Sequence, residues 1–273
     1  MHRRSVGYGC TGQSWRPKAA EDIDHGRLSL HRLSELQRYE LVATDGKIGP
    51  LEDVYFDDST WMMRYLVANA GSWLSGKRVL ISTVAVGGID EKKMEIYVEL
   101  SREQIKGGPP LDSNKPVSRQ YEADYFRYYG WPPYWETIPF SPPMPSVVQA
   151  MPPIGEERSH RREDRHLRSS REVTGYTISA EDGEICHVAD FVIDENNFKL
   201  CYLEIDTRNW WPGKHLLLNP AWIAQIDWPN KSVIVDLRRD DIRSAPEYDP
   251  KAVIGRDYEI KLFEHYARRK YWE

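Results

Sequence analysis

The sequence has little of three features that mark well-defined protein classes. Its 273 residues include three cysteines, Cys10, Cys186 and Cys201, too few for the disulfide framework of a small secreted domain. No apolar run approaches the roughly 18 residues that span a bilayer, and the N-terminus lacks the apolar core of a signal peptide. These absences predict a soluble, cytoplasmic protein with no integral membrane segment.

The chain also lacks a strong charge of one sign. Its formal net charge is -5 and its pI is about 6.0, so no overall attraction to nucleic acid or anionic lipid is expected. The arginines between Gly155 and Arg171 alternate with glutamate and aspartate. Interleaved acids repel phosphates, so this stretch is interpreted as a solvated helix or a disordered strip, and no nucleic-acid partner is expected.

The most informative pattern is an internal repeat with a shift of 137 residues. Without a gap, roughly 30% of positions are identical between 34–136 and 171–273, which indicates a tandem duplication. The matching segments are Asp45-Gly46-Lys47-Ile48 with Asp182-Gly183-Glu184-Ile185, Tyr65-Leu66 with Tyr202-Leu203, Gly76-Lys77 with Gly213-Lys214, Tyr121-Glu122 with Tyr258-Glu259, and Tyr134-Trp135-Glu136 with Tyr271-Trp272-Glu273. We predict a flexible tail over 1–32, a first domain over 33–136, a Pro-rich then charged linker over 137–170, and a second domain over 171–273.

Local signals indicate that each domain is mainly β. The Asp-Gly dipeptides are hairpin turns, and Met94 to Leu100 alternates apolar and polar residues as a half-buried strand does. Ser101 and Gln104 form a capping-box pattern, and aromatic residues recur at helical spacing from Tyr121 to Tyr129. The fold class predicted is two tandem small β-barrels, each followed by a short helical segment.

The order of these features resembles the PRC-barrel domain. The resemblance rests on the Asp-Gly hairpin, the Tyr-Leu strand, the Gly-Lys turn, the closing Tyr-Trp segment and the spaced pairs Asp53/Asp57 and Asp190/Asp194. Such domains are similar to the cytoplasmic part of the photosynthetic reaction-centre H subunit and to the C-terminal half of a ribosome maturation factor. The resemblance implies a small barrel used for interaction or assembly, without a general catalytic role.

A duplicated active site is expected to keep its reactive residues in both copies. No histidine, cysteine, serine or threonine aligns with its own kind at the shift of 137, so we expect no enzyme, no catalytic residue and no cofactor. A metal site from Cys186, His187 and Cys201 is discounted, because neighbouring strand residues point to opposite faces. The repeated charged residues are interpreted as ion pairs, with proton-relay or ligand roles as the alternative; among them are Asp53/Asp190, Asp57/Asp194, Lys77/Lys214, Arg102/Arg239, Arg119/Arg256 and Glu122/Glu259.

Exposed tryptophans are the remaining functional lead, because indole rings bury a large area at interfaces. The candidate interaction residues are Trp73, Trp210, Trp211, Trp135 and Trp272. These residues predict a contact between barrels. Alternatively, their rings cover the open end of their own barrel. Three hypotheses follow. The first is a non-enzymatic protein-interaction or assembly module with a protein partner or self-association as a dimer. The second is a small-molecule or anion sensor that uses the cleft between the two barrels, which a pocket with converging Arg119 and Arg256 would support, and the third is an enzyme with a site in one repeat only.

Overall fold

The computed structural model describes residues 29–111, 117–135, 166–207 and 214–272. We call 29–135 the first half and 166–272 the second half, and residues 137 apart equivalent. Each half contains a bent, mainly antiparallel sheet built around one 12-residue strand. The predicted Asp-Gly turn opens this strand in both halves, and Gly46 and Gly183 have φ of 146° and 134°, values that favour glycine.

The sheet of the first half has the strand order β5-β4-β3-β2-β7-β6. All neighbours pair antiparallel except β2 and β7, which are parallel. The long strand β3 bends at register shifts, so its beginning pairs with β2 and its end with β4. The strands are β2 (Glu40–Ala43), β3 (Gly46–Asp57), β4 (Met63–Asn69), β5 (Arg78–Ser82), β6 (Val86–Asp90) and β7 (Glu95–Val98).

The sheet of the second half has the equivalent order, β12-β11-β10-β9-β14-β13. Both halves therefore share one order of strands, and the mainly β, barrel-like fold class is confirmed. The sequence did not single out β6 or its equivalent β13. The strands are β9 (Thr177–Ala180), β10 (Gly183–Asp194), β11 (Lys199–Asp206), β12 (His215–Leu218), β13 (Ile223–Asp227) and β14 (Ser232–Val235).

Each sheet gains its seventh described strand from the other half. The strand β1 (Leu30–Arg32) continues into the short helix α1 (Leu33–Leu36), and β8 (Leu167–Ser169) continues into α4 (Ser170–Val173). β1 pairs with β10, and β8 pairs with β3. Residues 30–32 were expected in the flexible tail and 167–170 in the linker, and the structure corrects both boundaries. Three-residue strands carry too little alternation to be detected without knowing their partner.

Two further helices follow each sheet. They are α2 (Arg102–Gly107) and α3 (Arg119–Tyr129) in the first half, and α5 (Arg239–Arg243) and α6 (Arg256–His265) in the second half. The predicted capping box is present: Ser101 Oγ accepts from Gln104 N at 3.2 Å, and Ser101 N donates to Gln104 Oε1 at 2.8 Å. α3 and α6 lay buried aromatic and leucine side chains on their sheets, as the helical spacing predicted.

The hydrophobic core runs through both halves rather than forming two separate centres. Val54 and Phe56 from β3 lie in the same cluster as Phe191 and Tyr202 of the second half, and all four are fully buried. A smaller cluster lies under α3 and includes Leu167 of β8. Because the exchanged strand supplies apolar side chains to the opposite half, neither core is completed by its own half alone.

Candidate functional site

The two halves meet at a contact that we call the joint. The joint consists of the exchanged segments 30–36 and 167–173 together with the ends of the strands that these segments contact. The register is equivalent on the two sides: Leu30 pairs with Asp194, and Leu167 pairs with Asp57. The flanking hydrogen bonds also match, since Glu195 N donates to Ser29 O and Asp58 N to His166 O, both at 3.0 Å. The joint therefore has pseudo-two-fold symmetry within one chain.

The symmetry axis passes through a bridge between the two hairpins. Met62 forms an antiparallel bridge with Lys199, its own equivalent residue. Met63 N donates to Phe198 O and Leu200 N donates to Trp61 O, both at 2.8 Å. Trp61 and Phe198 have φ of 59° and 58°, a left-handed conformation that costs a bulky residue about 1–2 kcal/mol. Both halves accept this strain at the place where they meet.

In the first half, a buried carboxylate receives the exchanged segment. Asp53 is 2% exposed. Ser169 Oγ donates to Asp53 Oδ2 at 2.5 Å, Ser170 Oγ to Oδ1 at 2.7 Å, and the amide of Arg171 to Oδ1 at 3.2 Å. Hydrogen bonds to a charged acceptor are worth about 1.5–3 kcal/mol each. Asp53 therefore anchors the start of α4 to the opposite half.

In the second half, Asp190 plays the equivalent part with different chemistry. Its carboxylate accepts from Ser34 N at 3.2 Å and lies 3.4 Å from Arg32 Nη2. Arg32 also donates to Glu204, which is 1% exposed, at 2.8 and 3.1 Å. His215 Nδ1 lies 2.8 Å from the same Glu204. At the equivalent place on the first half, Arg32, Glu204 and His215 are matched by Ser169, Val67 and Arg78. The exchanged segment is therefore held by a buried ion pair on the second half and by serine hydroxyls on the first half.

A second pair of contacts closes the joint at its edge. Arg168 Nε donates to Asp58 at 2.9 Å, and at the equivalent place His31 Nε2 lies 2.9 Å from Glu195. Burial of His31 lowers its pKa, but the hydrogen bond and the charges of Glu195 and Glu91 outweigh burial, and the pKa is raised overall. One side of the joint is thus held by a permanent cation and the other by a histidine.

The repeated polar residues of the closing helices also have structural partners. Glu122 and Glu259, both fully buried, accept from Tyr65 at 2.9 Å and Tyr202 at 2.6 Å. Arg119 and Arg256 pair with these glutamates at 3.2 and 2.8 Å, and Tyr134 and Tyr271 donate to them at 3.0 and 2.8 Å. Burial, followed by the neighbouring glutamate, raises the pKa of Tyr65 and of Tyr202. These networks fasten each helix to its sheet.

The sequence-predicted tryptophans lie against their own half where they are described. Trp73 is half-buried, donates from Nε1 to Ile48 O at 2.7 Å, and lies under the guanidinium of Arg102 at 4.6 Å. Trp73 thus covers one end of the first sheet. Trp210 and Trp211 lie outside the described residues. The interaction role of all these positions stays a prediction.

Trp135 and Trp272 take equivalent places after the closing helices. Their rings lie 5.6 Å from Phe126 and 5.3 Å from Phe263, edge to face. Arg119 and Arg256 lie over the indoles at 4.4 and 4.1 Å. Both tryptophans therefore pack on the surface of their own half, together with the arginines that the sensor hypothesis placed in a cleft.

The two described cysteines, Cys186 and Cys201, are free and buried. Burial is the main cause that raises the pKa of each thiol to about 12, so both thiols are protonated near neutral pH. Within the part of the chain that the structure describes, no group of three or more His, Cys, Asp or Glu side chains is placed to hold a metal ion.

Two openings lie at positions that the sequence comparison did not single out. The Ala85 groove, of about 430 Å³, lies beside α3 and is lined by Val84, Ala85, Glu99, Leu100, Gln104, Tyr128, Tyr129 and Trp131. The Cys201 cleft, of about 600 Å³, lies between the turn at 58–61 of the first half and the start of β11, and it includes Asp194, Cys201 and Tyr271. A residue-by-residue comparison of equivalent positions would have shown the substitutions that open them.

Comparison with known proteins gives a family match in the first half of the chain. Residues 29–105 match the model of the PRC-barrel domain. The matched region begins at β1, so the exchanged strand is part of the unit that the family model describes. No curated protein matches the chain. Among the described residues, no helix is both long and apolar enough to cross a membrane.

Proposed function

We propose that this protein is a non-enzymatic protein-interaction or assembly module built from two PRC-barrel domains, with the second domain in the region 171–273. The observation that supports it is the use of the repeated polar residues. Asp53 and Asp190 fasten the exchanged segments, and Glu122 and Glu259 fasten the closing helices. The repeated polar residues thus hold parts of the structure together, which supports a scaffold role better than it supports an enzyme with a duplicated active site.

Two alternatives have less support. An anion sensor needs free arginines in a cleft, but Arg119 and Arg256 are paired with glutamates and do not line the Cys201 cleft. An enzyme with a thiol nucleophile in the second half needs a thiolate, and burial holds the thiol of Cys201 protonated. We also propose a cytoplasmic location, because three cysteines do not supply a secreted disulfide framework.

We assign the docking face of the module to the Ala85 groove. In the second half, Trp222 occupies the equivalent of Ala85, is 4% exposed, and packs 4.6 Å from Tyr266 and 5.3 Å from Phe263. Alanine fills less of this space in the first half. There Trp131 stacks on Tyr129, the equivalent of Tyr266, at 4.8 Å, and both rings line the groove. The second half thus shows which occupant fits, and the proposed occupant is an aromatic side chain of a partner protein.

Two exposed residues at the rim of the groove enlarge the area that a partner protein could contact. Tyr128 is 46% exposed and Val84 is 56% exposed. Aromatic residues on an open rim are typical anchors at protein interfaces, where they bury large areas at small entropic cost. The residues that line the groove do not belong to the exchanged segments, so a partner there leaves the hydrogen bonds of the joint in place.

The experiment compares capture by the intact chain and by Ala85→Trp, which supplies the aromatic side chain from within. Isotope-labelled mass spectrometry of both captures from native lysate should show one protein that the wild-type chain enriches and that Ala85→Trp loses by at least tenfold. Val253→Ala, at a site 85% exposed in another loop, is the matched control and should retain it. Equal enrichment by wild type and Ala85→Trp rejects this docking face. The absence of any saturable partner rejects the assembly function.

A further inference from the structure

The Cys201 cleft lies where the first half places an arginine. Arg64, the equivalent of Cys201, puts its guanidinium carbon 3.9 Å from the ring centre of Tyr134. Its Nη2 lies 3.6 Å from Asp57 Oδ2. A planar guanidinium suits this place, since it stacks on an aromatic face while its edge points toward a carboxylate.

The second half keeps the two partners of that arginine and lacks the arginine itself. Tyr271 is equivalent to Tyr134 and Asp194 to Asp57, and both line the cleft. Cysteine at 201 is too short to reach across to the ring, and its Sγ instead lies 3.6 Å from Lys199 O. Tyr271 is 51% exposed. Arg256 lies over the Tyr271 ring at 5.8 Å, as its equivalent does over Tyr134 at 5.5 Å. The place left without a guanidinium is therefore the one that Arg64 takes in the first half, beside a carboxylate and an aromatic ring on the same cleft.

The charge of Asp194 is not balanced by an ion pair among the described residues. Its Oδ1 accepts from Asn196 N at 2.9 Å and from Asn196 Nδ2 at 3.0 Å, and its Oδ2 accepts from Asn197 Nδ2 at 2.9 Å. These donors are neutral. The other carboxylate in the wall of the cleft, Asp58, is already paired with Arg168 at 2.9 Å. Lys199 is the cross-strand partner of Asp194 and lines the same cleft, but these two described residues form no ion pair. Asp194 is therefore the carboxylate that remains available to a further cation.

We propose that the Cys201 cleft binds a guanidinium group, stacked on Tyr271 and paired with Asp194 as Arg64 is placed in the first half. The group comes either from an arginine side chain of another protein or from a small free guanidine. The turn at 58–61 supplies the opposite wall, so the site needs both halves. This inference goes beyond the assembly function and stands or falls independently of it.

The test titrates the full chain with the probe Nα-acetyl-arginine amide and measures binding from NMR chemical shifts. One cation–π contact and one partly exposed ion pair predict saturable binding in the range of about 1–10 mM. Nα-acetyl-norleucine amide, which has no charge, should not bind. The lysine analogue should bind more weakly, because an ammonium cannot stack as a planar group.

Two variants in the second half identify the site. Cys201→Arg supplies the guanidinium from within the chain and should lower the probe affinity at least tenfold while leaving the fold intact. Asp194→Asn keeps the shape and removes the charge, and it should lower the affinity at least fivefold. No saturation by the probe overturns the proposal. Unchanged affinity in Cys201→Arg also overturns it, because the probe then binds elsewhere.

The matched variant in the first half is Arg64→Cys, which recreates the second-half arrangement. It should raise the stoichiometry from one probe to two, whereas a constant stoichiometry contradicts the assignment of ring and carboxylate as the binding elements. If Arg64→Cys fails to fold by circular dichroism, the second-half variants alone decide. The source of the group follows from comparing agmatine with an arginine-centred tripeptide: tighter binding of the peptide indicates a protein side chain, and tighter binding of agmatine a free guanidine.

Discussion

Replacement of Asp53 by alanine should loosen the joint more than any other single polar change in the first half. Three donors from the exchanged segment, Ser169 Oγ, Ser170 Oγ and Arg171 N, converge on its buried carboxylate. Each such bond is worth about 1.5–3 kcal/mol, and bonds that share one acceptor do not add fully. We expect a loss of about 3–5 kcal/mol, which is a large part of the roughly 5–15 kcal/mol that stabilises a domain.

Urea unfolding followed by circular dichroism measures this loss. Ser170→Ala removes one of the three bonds and should cost about 1–2 kcal/mol. Asp190→Ala should cost less than Asp53→Ala, because Arg32 keeps its bonds to Glu204 at 2.8 and 3.1 Å. If Asp53→Ala costs less than about 1 kcal/mol, or no more than Ser170→Ala, the carboxylate does not anchor the segment and the reasoning is refuted.

Three further predictions concern the joint, the core and a cap. Because the pKa of His31 is raised in the folded protein, protonated His31 contributes to the free energy of unfolding. This contribution is complete below the pKa of the unfolded state and is lost as the pH rises through the pKa of the folded state. Urea midpoints measured between about pH 5.5 and 8.5 should show this loss in the wild type and not in His31→Arg. Phe191→Ala removes a ring 5.8 Å from Phe56, and its measured free energy of unfolding should fall by about 3–5 kcal/mol. Ser101→Ala breaks the capping box and should cost about 1 kcal/mol in the same assay.

The sequence predicted those parts of the fold that depend on local patterns. The Asp-Gly turns, the hairpins around β3 and β10, the capping box at Ser101 and the closing helices all follow from turn chemistry and periodicity. The common strand order follows from the repeat, because many residues 137 apart are identical or similar. Local propensity and burial act in the same direction at these positions.

The exchange of β1 and β8 was not predictable in the same way. Leu30–Arg32 is three residues long, and its pairing partners in β10 lie 160 to 164 residues further along the chain. Its pairing depends on apolar and carboxylate groups of the other half, which no local pattern reveals. The left-handed conformations of Trp61 and Phe198 are likewise set by the bridge between the halves.

The candidate sites show the same limit. Tryptophan content drew attention to Trp73 and Trp135, yet both pack on their own half. Each opening lies where one half has a smaller side chain than the other. Ala85 is the equivalent of Trp222, and Cys201 is the equivalent of Arg64. An absence of this kind becomes visible only when equivalent positions are compared and their surroundings are known.

The central claim is that the two halves hold each other through exchanged segments and not through the chain that connects them. A protease site inserted within 140–160 allows the connection to be cut in the folded protein. Sedimentation velocity at micromolar concentration should then show one species near the 31.9 kDa of the intact chain, and Asp53→Ala should weaken it. Two free species of about half that mass, formed from the cut wild-type chain under native conditions, would contradict the account.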